Sequence, residues 1–125
     1  MAYPANPKQL VLVVEDEALI RMHAADMIRD LGFEVMEAAN ADQAISLLES
    51  NSEISVVFTD IQMPGSMDGL KLARFVRDRW PPIRIVATSG HVRVGEDDLP
   101  SGSFFLPKPY RGDQVIAALR ELTAN

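Results

Sequence analysis

Glu15 and Asp16 follow the apolar run Leu10-Val11-Leu12-Val13-Val14, and Asp60 follows Val56-Val57-Phe58-Thr59. Thr88, with Ser89-Gly90 behind it, closes a run that begins at Ile83, and Lys108 stands just past Ser103 to Leu106. Three carboxylates, a hydroxyl and a lysine thus sit at the ends of separate apolar segments. Clustered carboxylates repel by about 1–4 kcal/mol per pair at contact distance near a protein surface. They are tolerated if protons are taken up or if a cation is bound. Hard oxygen donors with open positions favour Mg²⁺, which keeps several waters. With neither histidine nor cysteine in the set, zinc is disfavoured. A metal beside an exposed aspartate suggests phosphoryl transfer, because an aspartyl carboxylate can act as nucleophile and form an acyl phosphate. The transferred group spreads its charge over three equatorial oxygens. Mg²⁺ would hold one, Lys108 another, and the Thr88 hydroxyl with backbone N–H groups a third.

These groups need elements that bring them to one edge. Leu10–Val14 is apolar on both faces, as a strand buried inside a parallel sheet must be. Glu17 to Leu31 has helical spacing, with Ile20, Ala24, Met27, Ile28 and Leu31 on one face and Gly32 as a stop signal. Glu34 to Ala38 is a weaker strand. Asn40 is placed to cap a helix through Ala44, Leu47 and Leu48. After the third strand, Pro64-Gly65-Ser66 marks a loop. Asp68 opens a helix carrying Leu72, Phe75 and Val76, and Pro81-Pro82 break the chain. Ile83 to Thr88 and Ser103 to Leu106 form the last two strands. A final helix runs from about Gly112 to Leu122, with Val115, Ile116, Leu119 and Leu122 inward. Alternation also demands a fourth helix within His91 to Gly102. Gly95, Pro100, Gly102 and the acidic run Glu96-Asp97-Asp98 make it short or irregular. Strands alternating with helices give an α/β fold with a parallel sheet, and such folds place sites at the carboxyl ends of strands.

The composition is that of one ordinary globular domain: 125 residues, 47% hydrophobic and 24% charged. Residues 1–8 are a loose, Pro-punctuated leader and 9–125 the domain. The absence of cysteine excludes disulfides, thiolate metal sites and cysteine nucleophiles. Twelve Lys and Arg against 18 Asp and Glu give a net charge of −6, which disfavours direct nucleic-acid binding. The N-terminal apolar run is too short for a signal-peptide core or a membrane span. A cytoplasmic protein without membrane association is expected.

Taken in order, Val13-Val14-Glu15-Asp16-Glu17, Thr59-Asp60-Ile61-Gln62-Met63-Pro64 with Met67-Asp68-Gly69, Ala87-Thr88-Ser89-Gly90 and Pro107-Lys108-Pro109 resemble the motifs of bacterial two-component response-regulator receiver domains. The resemblance runs from about Lys8 to the end of the chain. It implies a flavodoxin-like, five-stranded parallel sheet of order 2-1-3-4-5 with helices on both faces. It implies that Asp60 receives a phosphoryl group from a phosphohistidine on a sensor kinase or histidine phosphotransfer protein. By the same resemblance, Asp16, Asp60 and the Gln62 backbone carbonyl bind Mg²⁺, with Glu15 acting through water. Lys108 pairs with the phosphoryl oxygens. Thr88 moves inward to the phosphoryl group, and Phe105, three residues before the lysine, changes rotamer with it as the switch.

The sequence departs from the family pattern in places. Glu15 stands where many relatives carry Asp. The loop at Pro64–Met67 has one residue more than the commoner spacing. Phe105 has no phenol. Ser89 replaces a usual Ala, which leaves Thr88 and Ser89 both as candidates for the switch hydroxyl. The weak fourth helix puts the usual output face, built with the fifth strand and last helix, in question.

His23 reads as helix surface, His91 as a loop residue near the site, and Met27, Met63 and Met67 as packing. Trp80, before Pro81-Pro82, reads as at most half buried. The resemblance implies a cis Lys108-Pro109 bond, which X-Pro bonds permit. A flavodoxin-like cofactor protein would need a Ser/Thr/Gly-rich phosphate loop where Glu15-Asp16-Glu17 stands. An aspartate-nucleophile phosphatase would want its general acid two residues after Asp60, where Gln62 lies. The expectation is therefore a stand-alone receiver, not an enzyme beyond its own aspartyl phosphorylation and autodephosphorylation. It would signal to an output protein or drain a kinase as a phosphate sink, as a monomer or a weak phosphorylation-dependent dimer.

Overall fold

A computed structural model describes residues 9–63, 67–90 and 99–123. In chain order the elements are β1 (Leu10–Val14), α1 (Ala18–Asp30), β2 (Glu34–Ala38), α2 (Ala41–Ser50), β3 (Ile54–Asp60), α3 (Gly69–Arg79), β4 (Arg84–Ser89), β5 (Phe104–Pro107) and the C-terminal helix α4 (Gly112–Thr123). The strands form one parallel sheet in the order β2-β1-β3-β4-β5. This is the expected flavodoxin-like order. Strands and helices lie within two residues of their expected bounds.

The sheet divides two apolar layers by strand alternation. Leu12, Val14, Val57 and Ile85 meet α2 and α3 through Ala44, Leu48, Leu72 and Val76. Val11, Val13, Val56, Phe58, Val86 and Leu106 meet α1 and α4 through Ala24, Ile28, Val115 and Leu119. Leu12, Ile28, Leu72, Ile85 and Leu119 are wholly buried. Each contributes about 1.5–3 kcal/mol relative to exposure. Met63 and Met67 pack on the first layer and Met27 on the second, as expected of packing residues. Trp80 is half-buried against the first layer.

Local chemistry sets the element ends. The Gln43 N–H donates to Asn40 Oδ1 at 2.8 Å, capping α2. The Lys71 N–H donates to Asp68 Oδ1 at 2.9 Å, capping α3. Helix α1 ends in a Schellman turn: Gly32, at φ 100°, donates to the Arg29 carbonyl at 2.9 Å, and Phe33 donates to the Ile28 carbonyl.

Ile20 lies on the helical stripe of Ala24 and Ile28 but is 36% exposed. It lines the space over the carboxylates and borders an interior pocket with Val13, Ala24 and Phe58. Of the helix expected within 91–102, residues 91–98, His91 among them, lie outside the described residues. Leu99 packs against the first layer, and no helix includes 99–102. The leader 1–8 and the loop residues 64–66 also lie outside the described residues. Among the described residues, no helix is long and apolar enough to cross a membrane.

Candidate functional site

Alternation decides which strand-end side chains meet. On the α1/α4 side, Val11 and Val13 are followed by Glu15, Val56 and Phe58 by Asp60, Val86 by Thr88, and Leu106 by Lys108. Asp60 and Thr88 are register partners across β3 and β4, and Thr88 pairs with Leu106 on β5. The four groups therefore converge at one edge of the sheet, with Asp16 one residue beyond Glu15.

Glu15 and Asp60 are 5% and 7% exposed, while Asp16 is exposed. Glu15, Asp16 and Asp60 each offer a carboxylate oxygen, all within 4.8 Å of one another. Lys108 Nζ donates to Glu15 Oε1 at 3.1 Å and lies 3.5 Å from Asp60 Oδ1. The lysine thus partly neutralises the cluster and favours Glu15. Burial raises the pKa of both Glu15 and Asp60, with Lys108 pulling the other way. Burial would lower the Lys108 pKa, but the Glu15 hydrogen bond and the Asp60 charge outweigh it and leave it raised.

The backbone holds this arrangement in place. The Glu17 N–H donates to Glu15 Oε2 at 3.1 Å, and Arg21 Nη1 donates to the Glu15 carbonyl at 2.9 Å. Arg21 is itself anchored to Glu37 on β2 at 3.3 Å. The Ile61 N–H donates to the Thr88 carbonyl and the Lys108 N–H to the Ser89 carbonyl, each at 2.9 Å. Gly69 packs so closely on the end of β3 that a Cβ there would overlap the Asp60 carbonyl oxygen and lie 2.6 Å from Ile61 Cα. The Lys108-Pro109 peptide is cis, as the sequence suggested.

A cleft of about 760 Å³ opens over the cluster. Its charged half holds Glu15, Asp16, Asp60 and Lys108, and its other half is built from Ile20, His23, Met27, Pro109 and Tyr110. Gln62 lines it too. Beneath lies a small interior pocket bordered by Asp60, Thr88, Phe58, Ala24 and Tyr110. Thr88 is the hydroxyl that shares a pocket with Asp60, whereas Ser89 has the opposite strand parity, toward α2 and α3. Phe105 lines neither space; it is the register partner of Ala87.

Sequence reasoning missed Tyr110, Arg21 and the apolar half of the cleft. Lys-Pro-Tyr places Tyr110 two residues from the lysine, which was a usable signal. Arg21 carried none, because its value lies in a backbone carbonyl that only folding brings within reach.

Among the described residues, the donors of the cluster are three carboxylates, which suit a small hard cation. Mg²⁺ is the ion that set fits. The arrangement can present one buried carboxylate as nucleophile between that ion, a lysine and a threonine.

The sequence matches the family model described as the response regulator receiver domain over residues 11–120. A putative NtrX-like response regulator of Rickettsia bellii is 32% identical over 114 residues, covering 88% of this chain and 24% of that protein. The sensor kinase CckA of Brucella abortus is 34% identical over 116 residues, covering 90% of this chain and 12% of the kinase. A crystal structure of a response regulator receiver protein from Sinorhizobium medicae WSM419 has a TM-score of 0.85 and 31% identity, covering 92% of this chain and 94% of that one. The chain thus spans about a quarter of the NtrX-like relative and far less of the kinase.

Proposed function

This chain belongs to the response regulator receiver domains, and from that premise we propose that Asp60 accepts a phosphoryl group from a phosphohistidine on a sensor kinase or histidine phosphotransfer protein. One observation carries the reading. Asp60 shares a 4.8 Å carboxylate cluster with Glu15 and Asp16, and Lys108 Nζ lies 3.5 Å from its oxygen. An Asp60 oxygen attacks phosphorus, the O–P bond forms and the N–P bond breaks. The imidazole leaves with the electron pair and takes up a proton. Lys108 and the Thr88 hydroxyl receive the charge on the phosphoryl oxygens. Asp16, Asp60 and the Gln62 carbonyl would hold Mg²⁺, with Glu15 acting through water. When bound, the ion neutralises the cluster and polarises the phosphoryl group. Hydrolysis by water returns Asp60 and inorganic phosphate, so the protein processes only its own acyl phosphate and turns over no other substrate.

The surface beside the cleft supports a helical donor. Leu19 is 81% and Met22 51% exposed on α1, next to Ile20 at the cleft wall. Exposed apolar groups of this size on a rigid helix suit protein contact. The same reading places the protein in the cytoplasm and sends its output through contact with another protein.

Asp60→Asn tests the proposal. Phosphotransfer from a panel of phosphorylated kinases should label the wild type with acid- and base-labile phosphate and leave the variant unlabelled. Full labelling of Asp60→Asn would move the acceptor elsewhere.

A further inference from the structure

Phe105 is the aromatic that the family pattern marks as the switch. Phe104 and Leu106 pack into the α1/α4 layer, so alternation turns Phe105 to the other side of the sheet. Tyr110 borders both the open cleft and the interior pocket. In the pocket it faces Asp60, Thr88 and Phe58, and its ring stands edge-on to Phe58 with centroids 5.7 Å apart and planes at 81°. It is two residues past Lys108 and two before Gly112, the first residue of α4. A Cβ on Gly112 would lie 3.9 Å from Met27 Sδ, so the start of α4 rests on α1.

We propose that Tyr110 is a positioning residue that couples occupancy of Asp60 to the α1–α4 face. The proposal rests on the acceptor reading above. A phosphoryl group on Asp60 draws the Thr88 hydroxyl and the Lys108 ammonium to its oxygens, and the lysine gives up its 3.1 Å bond to Glu15. The Thr88 movement alters a wall of the interior pocket and the Lys108 movement a wall of the cleft, and Tyr110 borders both. A close-packed interior loses dispersion contacts wherever a gap opens, so the ring follows Thr88. Pro109 has a restricted φ and joins lysine to tyrosine, which passes the shift on to the first turn of α4.

The test is NMR of the full chain with ring-labelled tyrosine, titrated with Mg²⁺ and beryllofluoride as the phosphoryl mimic. Tyr110→Phe assigns the ring signal against Tyr3. In the wild type, the amide of Thr88, the Tyr110 ring and the amides of Gly112 to Val115 should shift together. Tyr110→Leu should still bind the mimic and shift Thr88, but its α4 response should fall by about half or more. Tyr110→Phe should restore that response. Tyr110→Leu with a full α4 response would overturn the proposal, because a merely structural tyrosine would change stability alone. A silent Tyr110 ring beside a shifting Thr88 would overturn it even if the leucine variant did not fold. No response at Asp60 or Thr88 would sink the acceptor reading itself.

Discussion

Glu15 is engaged at every polar atom. Its N–H donates to the Ala38 carbonyl at 3.0 Å, and its carbonyl accepts from Arg21 at 2.9 Å. Its two carboxylate oxygens accept from Glu17 N–H and Lys108, each at 3.1 Å. The longer arm of Glu, compared with Asp, reaches the lysine across the cleft. Asp16 has a different situation, exposed and beside the same cluster. It is the carboxylate that a cation can take without first displacing Lys108. Asp16→Asn should therefore weaken Mg²⁺ binding by about tenfold or more, the effect of losing one charged ligand. Isothermal titration checks this, and an unchanged affinity would remove Asp16 from direct contact with the ion.

Two glycines separate what an element needs from what the site needs. Gly32 is at φ 100° and ends α1 far from the cleft, with nothing within 4 Å of the point where a Cβ would stand. Gly69 opens α3 directly behind Asp60. Gly32→Ala should cost about 1 kcal/mol through its left-handed backbone and leave Mg²⁺ affinity alone. Gly69→Ala should cost about 2 kcal/mol or more and also weaken Mg²⁺ binding, because relieving the overlap must move the Asp60 or Ile61 backbone. Denaturant melts paired with metal titrations distinguish the two. If Gly69→Ala kept full affinity, α3 would not be setting the acceptor's position. The caps at Asn40 and Asp68 act on their own helices and were readable from residue type and spacing. The 36% exposure of Ile20 was not readable, because a helical stripe records direction and not that a cleft opens beside it.

The fold as a unit brings together charges that oppose its stability. Glu15 and Asp60 have folded-state pKa values raised above the ordinary 4.5 and 3.8. For such acids the folded state holds more protons than the unfolded chain in the window just above those values. Their contribution to stability is whole below that window and is lost as pH rises through the raised values. Lys108, also raised above 10.5, keeps its contribution below that value and loses it only at higher pH. By the proposed function, Mg²⁺ would bind the ionised cluster of the folded state and so would stabilise by mass action where the protons have left. The increase in Tm on adding saturating Mg²⁺ should therefore grow from about pH 4 to about pH 7. Thermal melts across that range provide the check, and a shift independent of pH would mean that the ion binds elsewhere.

Apolar runs closed by Asp16, Asp60, Thr88 and Lys108 were enough to locate the strands and their polar ends. A strand buried on both faces must be apolar along its length, and it can become polar only where the sheet stops. Tertiary structure alone separated Thr88 from Ser89, because the choice depends on which side of the sheet each faces relative to Asp60 on a neighbouring strand. It alone brought Arg21 to the Glu15 carbonyl, Tyr110 to the pocket that Asp60 borders and Gly69 against the Asp60 backbone. The geometry of those contacts follows from register and packing between elements, which no local pattern of residue types encodes.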